Sequence, residues 1–350
     1  MSKFKTNNIS RNMNKSIDFL ILTHNSKNYI EKLLNNIICL KDFNNQIHKI
    51  IILDDNSNDN TIELITNFFK NYKIQNYKLI NLTKKYGVFY NRVFLLENSD
   101  SDYAFFIDDD DWVDNNIITI FNSLSYFDYD LIFLKRLFCY ENARINLEEK
   151  QGINVNNSDF AKFMYNKQKF MYITGVFIKK DLINKILKYI NKNEILNIYI
   201  FEDSIITYLL ITFSKKRLII NAFYFYNKTN QNSILTTSNR NNEREIVIRL
   251  LDILLNMYDK LPIDIKDNVE NQNFFLLIKL FLLSKYICNM NNKKQLKNCD
   301  LIKNKYFKND KLEKFIINPT DCKNWIILNS KFFRMLYFII RFIYQKIFSK

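Results

Sequence analysis

Short apolar runs alternate with amphipathic stretches along the first third of the chain. SIDFLIL (16–22), KIIIL (49–53), YKLINL (77–82) and YAFFI (103–107) are β-rich and almost uninterrupted in hydrophobicity. That is the pattern of strands buried on both faces. Between them, KNYIEKLLNNIICL (27–40) sets Ile30, Leu33, Leu34, Ile37 and Ile38 at helical spacing. TIELITNFFKNY (61–72) and GVFYNRVFLLENS (87–99) read as two more helices. The order β-α-β-α-β-α-β predicts a mostly parallel sheet with helices on both faces, an α/β fold.

The pattern then changes. DLIFLKRLFCY (130–140), MYITGVFIKK (171–180) and RLIINAFYFYNK (217–228) read as strands, and FEDSIITYLLITFSK (201–215) as a helix with an acidic start. From Arg240 the chain turns helical and basic, with apolar stretches such as FFLLIKLFLLSKYIC (274–288). No repeat of fixed period is present. The expected division is a flexible leader over 1–16, an α/β domain over 17–235 with halves 17–116 and 117–235, and a basic helical region over 236–350.

Composition adjusts this picture. With 350 residues, 47% hydrophobic and 25% charged, the chain can bury a sizeable core. Only 3 glycines and 2 prolines are present, which reads as AT-rich coding bias and weakens turn signals. The net charge of +15 is uneven: residues 240–350 hold 21 Lys/Arg against 11 Asp/Glu. Such a surface favours anionic partners such as nucleic acid, acidic lipid headgroups or phosphorylated substrates. The five cysteines are scattered without a C-x-x-C pair, which argues against a disulfide framework or zinc ribbon and fits a reducing cytoplasm. His24 and His48 are the only histidines, so a His-based metal site is not expected. The polar start MSKFKTNNISRNMNKS lacks a signal-peptide core, and no run reaches the roughly 18 apolar residues of a membrane span. A cytoplasmic protein is expected.

In parallel sheets, ligands bind beyond the carboxyl ends of the strands. Three polar motifs fall there: Thr23-His24-Asn25, DDNSNDNT (54–61) and Asp108–Asp111. The second alternates like a calcium loop, but a loop begun at Asp55 puts Asn60 at the glycine position and Thr66 at the bidentate Glu, so that reading fails. Asp59 or Asn60 suits helix capping, with Glu63 in the first turn. Capping leaves Asp54 and Asp55 unexplained; a carboxylate there can accept the N–H of a nucleobase. In IDDDDW (107–112), adjacent carboxylates repel by about 4 kcal/mol per close pair at an effective dielectric near 20. Water screens them or a cation sits among them. On an extended segment Asp108 and Asp110 share one side, while Asp109 and Asp111 point elsewhere. Magnesium or manganese suits such a pair.

Together these motifs resemble glycosyltransferase family 2, with its GT-A fold. The matching segments are IDFLILTHNSKNYIEKLLNNI (17–37), IIILDDNSNDNT (50–61), Gly87 with Arg92, and AFFIDDDDW (104–112). The resemblance spans roughly 16–235 and is closest to bacterial capsule and lipooligosaccharide transferases. It implies an inverting, metal-dependent transfer of a sugar from a nucleotide-sugar, UDP-linked rather than GDP-linked, to a hydroxyl of a glycan or lipid-linked glycan. Residues 17–116 become the nucleotide-binding half and 117–235 the acceptor half. Asp54 and Asp55 would bind nucleoside, Asp108 would face ribose, and Asp110 would hold Mn²⁺ or Mg²⁺. Thr23, Asn25, Ser57, Arg92 and Asp109 complete the implied nucleotide-sugar-binding set, with Arg92 and the metal offsetting charge on the departing diphosphate. Asp111 is a candidate outer partner of the metal site.

The family also needs a base at the start of a later helix, and FEDSIITYLL supplies Asp203, with Glu202 second. A carboxylate there takes the proton of the attacking hydroxyl. YNKTNQNSI (226–234) resembles a segment that closes over the donor, but Asn227 and Lys228 stand where an Arg is usual. Thr23-His24-Asn25 departs from the common Pro-Thr-Tyr-Asn; His24 suits either base stacking or a structural turn. Trp112 and Tyr172 suit a sugar face or core packing. In KFFRMLYFIIRFIYQKIF (331–348) the residues Lys331, Arg334, Arg341 and Gln345 share a face, which suits a helix in the cytoplasmic face of the inner membrane. The eight lysines of 293–314 support this electrostatically. No nucleic-acid partner is expected, and the oligomeric state is open. Two other readings stand beside this one: a nucleotidyltransferase, which wants a Gly-rich basic loop absent from THNSKNYI, and a non-enzymatic basic protein that binds membrane or nucleic acid.

Overall fold

The computed structural model describes residues 15–43, 47–124, 128–139, 172–230, 240–288 and 305–306. Residues 331–348, most of 293–314 and the end of the 226–234 segment lie outside them. The elements run β1 (Ile17–Thr23), α1 (Ile30–Ile38), β2 (Ile47–Asp54), α2 (Thr61–Asn71), β3 (Tyr77–Asn81), α3 (Val88–Asn98) and β4 (Tyr103–Asp108). They continue with β5 (Trp112–Val113), α4 (Ile117–Leu124), β6 (Leu131–Cys139), β7 (Val176–Lys179), α5 (Lys180–Ile186), α6 (Glu202–Phe213) and β8 (Arg217–Asn227). Three helices follow: α7 (Arg240–Lys260), α8 (Ile263–Asp267) and α9 (Val269–Cys288). No helix among the described residues is long and apolar enough to cross a membrane.

One eight-stranded sheet has the order β3-β2-β1-β4-β7-β6-β8-β5. The first four strands are parallel, as the alternation predicts. β7 then enters antiparallel to both β4 and β6, and β5 pairs antiparallel with β8. The apolar runs are continuous because each strand feeds two cores. In β1, Leu20 belongs to one core while Phe19 and Ile21 belong to the other. In β4, Ala104 and Phe106 face the first core, and Tyr103, Phe105 and Ile107 the second. Helices α1, α2 and α4 cover the second face; α3, α5, α6, α7 and α9 cover the first. The parallel register aligns Thr23 with Asp54, and Leu22 with Asp108, so the polar motifs share one edge of the sheet.

The opposite edge is tied by Asp18, which is fully buried. Its Oδ2 accepts from Ser99 Oγ and from the N–H groups of Asp100 and Ser101; its Oδ1 accepts from Ser101 Oγ and pairs with His48 Nδ1. Burial alone would raise this carboxyl, but the hydrogen bonds from Ser101, His48, Asp100 and Ser99 outweigh it and hold the group below its ordinary 3.8. The clamp joins β1 to the turn before β4.

Gly87 opens α3 at φ +100°, a conformation that side chains rarely adopt. A Cβ there would lie 2.7 Å from the backbone nitrogen of Ile198. The close approach is fixed by Phe89 N–H to Ile198 O and Asn197 N–H to Tyr86 O. The segment leading to α6 is thereby pinned to the start of α3.

Asp18→Asn should lower stability by about 2 kcal/mol at neutral pH, because buried donors lose a charged acceptor. The native carboxyl is depressed, so its contribution is present above the ordinary value of 3.8 and is lost as pH falls below it. Urea titrations of both proteins should converge on moving from pH 7 towards pH 3. Gly87→Ala should cost at least about 2 kcal/mol through backbone strain, read in the same titrations.

Candidate functional site

A cleft of about 720 Å³ opens at the carboxyl edge of the sheet. Its walls come from the loops after β1, β2, β3 and β4, the start of α6 and the end of β8. Thr23, Asn25, Asp55, Arg92, Asp108, Asp109, Asp110, Glu202 and Asp203 all line it; Asp54 and Ser57 do not.

The difference between Asp54 and Asp55 is local. Asp54 accepts from the N–H and Oγ of Ser57, three residues on, and so closes the turn after β2. Asp55 donates its N–H to Thr23 O, and its Oδ1 is buried without a hydrogen-bond partner among the described residues. The loops after β1 and β2 interlock further. Asn25 N–H donates to Ser57 Oγ, Asn58 N–H to Asn25 Oδ1, and Ser26 N–H to Thr61 Oγ1. Asp59, rather than Asn60, caps the start of α2 by accepting from Thr61 N–H.

The four aspartates divide four ways. Asp111 N–H donates to Asp108 O, so the segment turns instead of staying extended. The two-sided alternation expected from an extended strand therefore stops at Asp108. Asp108 Oδ1 meets Arg92 at 3.3 Å. Asp109 accepts from Ser26 Oγ and from His24 N–H, holding the loop after β1. Asp110 accepts from Asn230 Nδ2 at 2.7 Å. Asp111 is buried and accepts from Tyr224 OH at 2.6 Å and from Asn227 N–H at 2.8 Å, holding the end of β8. Tyr224 OH also accepts Asp108 N–H, and the Tyr224 ring packs where a Cβ on Gly175 would sit.

This packing leaves negative charge poorly compensated. Burial first, then Asp110, pushes the Asp109 carboxyl up to about 7. Burial pushes Asp110 up to about 6 despite Asn230, with Asp108 adding repulsion. Asp111 is raised well above the ordinary range by burial and by Asp108 and Asp110. A turn that offers only oxygen donors and strains towards protonation fits a hard divalent cation. Asp18, His48 and Asp100 also lie close enough to share an ion. They sit at the far edge of the sheet, and both Asp18 oxygens already accept hydrogen bonds.

Across the cleft, α6 begins at Phe201, whose φ of 62° is left-handed. Its first two residues are Glu202 and Asp203. Arg92, itself buried, meets Glu202 Oε1 at 3.5 Å and forms an ion pair with Asp203 as well as with Asp108. Burial raises the Glu202 carboxyl although Arg92 opposes this. The Asp203 side chain is 16% exposed against 6% for Glu202, so Asp203 is the more open of the two.

Sequence reasoning did not assign Lys85, Tyr199, Phe201, Asn230 or Phe281, which also line the cleft. Asn230 sits in the 226–234 segment, so a signal for it was present. Phe281 comes from α9, which no motif connects to the site. Tyr172 lines the cleft, whereas Trp112 stacks on Phe225 beneath the Lys32 ammonium. Lys228 lies over the rings of Tyr226 and Phe138, its amine pushed down by burial and by Arg136.

Residues 18–187 match the family profile "Glycosyl transferase family 2". The chain is 27% identical over 274 residues, 75% of each protein, to the processive diacylglycerol beta-glycosyltransferase of Mycoplasma genitalium. Its fold resembles that of S. aureus TarS 1–349 in complex with UDP-GlcNAc, with TM-score 0.54 at 14% identity over 82% of this chain and 86% of that one. TarS 1–349 in complex with UDP gives TM-score 0.52 at 13% identity over 90% of both chains. These likenesses favour the glycosyltransferase over the nucleotidyltransferase and the non-enzymatic readings. The fold is of the GT-A type, and residues 18–187 form a glycosyltransferase domain of family 2.

Proposed function

We propose that the chain transfers a sugar from a UDP-sugar to a hydroxyl of a lipid-linked or glycan acceptor, with inversion at the anomeric carbon and with a divalent cation. One observation carries the reading: a single cleft gathers Asp55, the aspartate turn, Arg92 and the acidic start of α6. Asp55 offers a buried acceptor for a nucleobase N–H. Asp108 and Asp110 would hold ribose and the cation. When bound, the cation withdraws charge from the diphosphate as the sugar leaves.

The chain's own groups do the rest. Arg92 is placed between the donor side and α6, where it stabilises negative charge developing on the leaving diphosphate. Asp203 takes the proton of the acceptor hydroxyl as that oxygen attacks the anomeric carbon. Glu202 is the less suited of the two, being more buried and raised towards its neutral form. Displacement from the side opposite the departing diphosphate inverts the carbon.

A lipid-linked acceptor at the cytoplasmic face of the membrane is supported by the name of the Mycoplasma genitalium relative and by the basic C-terminal third. The family resemblance points to surface polysaccharide or lipooligosaccharide as the product.

Incubation with a panel of UDP-sugars and lipid extracts should give UDP release that needs Mn²⁺ or Mg²⁺; no release with any sugar nucleotide would overturn the proposal. Asp110→Asn should lower turnover at least about a hundredfold, the usual cost of losing charge stabilisation at the leaving group. Asp109→Asn should be milder and act on nucleotide affinity, because Asp109 holds the loop after β1. Asp203→Asn should lower kcat by about a hundredfold or more with UDP binding unchanged by calorimetry, as expected for a lost general base.

A further inference from the structure

His24 stands where the family resemblance expects a tyrosine, and its ring is held in one state. Lys85 Nζ lies 2.8 Å from its Nε2, and Asn25 Nδ2 lies 3.1 Å from the same atom. An ammonium can only donate. The Asn25 amide is oriented by its other end, since Asn25 Oδ1 accepts Asn58 N–H. Two donors therefore converge on Nε2, which must accept, and the ring hydrogen is carried by Nδ1. That Nδ1 is shielded from solvent and has no hydrogen-bond partner among the described residues.

A second orphan lies close by. Asp55 donates its backbone N–H to Thr23 O, the residue before His24, and its Oδ1 is also shielded and unpartnered. Both residues line the cleft. Shielded polar atoms without partners are costly, about 1–3 kcal/mol each, and a bound group that satisfies both recovers that cost. The Nδ1–H needs an acceptor and the carboxylate oxygen a donor, and the two belong to neighbouring loops of one cleft. A ring imide presents an N–H flanked by a carbonyl, which uracil supplies.

We propose that His24 is a specificity-determining residue of the donor site, its Nδ1–H donating to the C4 carbonyl of uracil, which cytosine replaces with an amine, while Asp55 accepts the adjacent imide N–H. This rests on the UDP-sugar reading above. Cytosine set in the same pose turns a ring-nitrogen lone pair towards the Asp55 carboxylate, which repels it. Lys85 acts through His24: it fixes the tautomer and is a positioning residue.

Two measurements test this. In protein labelled with ¹⁵N-histidine, only His24 and His48 contribute, and His24→Phe assigns the pair. His24 should show a protonated Nδ1 and an unprotonated Nε2, and its Nδ1 resonance should shift on adding UDP. An Nε2–H tautomer would overturn the proposal. Calorimetry with UDP and CDP should show UDP bound about tenfold more weakly by His24→Phe, the scale of one lost hydrogen bond to a partner group, while CDP binding changes less than about twofold. Equal losses for both nucleotides, or no loss for UDP, would overturn it. Lys85→Met keeps the ring and should give a mixture of tautomers with a smaller loss of UDP affinity; an unchanged tautomer would overturn the positioning role. If wild type binds no uridine nucleotide, the UDP-sugar reading itself fails; if it binds UDP and the variants do not differ from it, only the His24 role fails.

Discussion

Four consecutive carboxylates at the end of a buried strand can stay together only if each finds its own partner. Asp108 takes Arg92 from α3, Asp109 takes Ser26 and the His24 N–H from the loop after β1, Asp110 takes Asn230, and Asp111 takes Tyr224 and the Asn227 N–H from β8. The repulsion that makes the run improbable thus sets its architecture. Dispersing the charges ties the turn to α3, to the loop after β1 and to the end of β8. Compensation is incomplete, since burial and mutual repulsion still raise Asp109, Asp110 and Asp111.

The parallel half of the sheet was legible because strands buried on both faces write continuous apolar runs. Phe19, Leu20 and Ile21 alternate between two cores, so after the clamped Asp18 the run stays apolar until the strand ends. The polar residues at Thr23, Asp54 and Asp108 then mark the strand ends in register. The antiparallel entry of β7 between β4 and β6 was not legible, because periodicity records burial and not direction. Scarce glycine also hid the turns. Asn25, Asn56 and Asn197 occupy left-handed positions that glycine more often fills, a use that asparagine tolerates.

At the site, side-chain chemistry was legible and side-chain direction was not. Side-chain alternation holds along extended backbone, and the Asp111 N–H to Asp108 O bond ends the extension at once. Asp54 and Asp55 looked equivalent, yet Ser57 claims the first and leaves the second facing the cleft. The spacing from Asp54 to Ser57 carried that signal, because an aspartate readily accepts the N–H a few residues ahead. The state of His24 had no such signal, since it depends on Lys85, a residue 61 positions away.

Helix α3 is the strut that holds the two sides of the cleft in one geometry. At its start, Gly87 lets the chain approach the Ile198 backbone, and hydrogen bonds from Phe89 and Asn197 close that contact. Further along, Arg92 reaches Asp108 on one side and Glu202 and Asp203 on the other. A planar guanidinium has enough donors in fixed directions to meet several carboxylates, whereas an ammonium would act as a single point charge. Both links bind α3 to the segment that includes Phe201, whose left-handed backbone turns the chain into α6. A residue of this kind in that conformation persists only where its surroundings over-determine it. The Gly87 contact and the Arg92 ion pairs are those surroundings. The acidic end of α6 is therefore held by α3, the same helix that contacts Asp108.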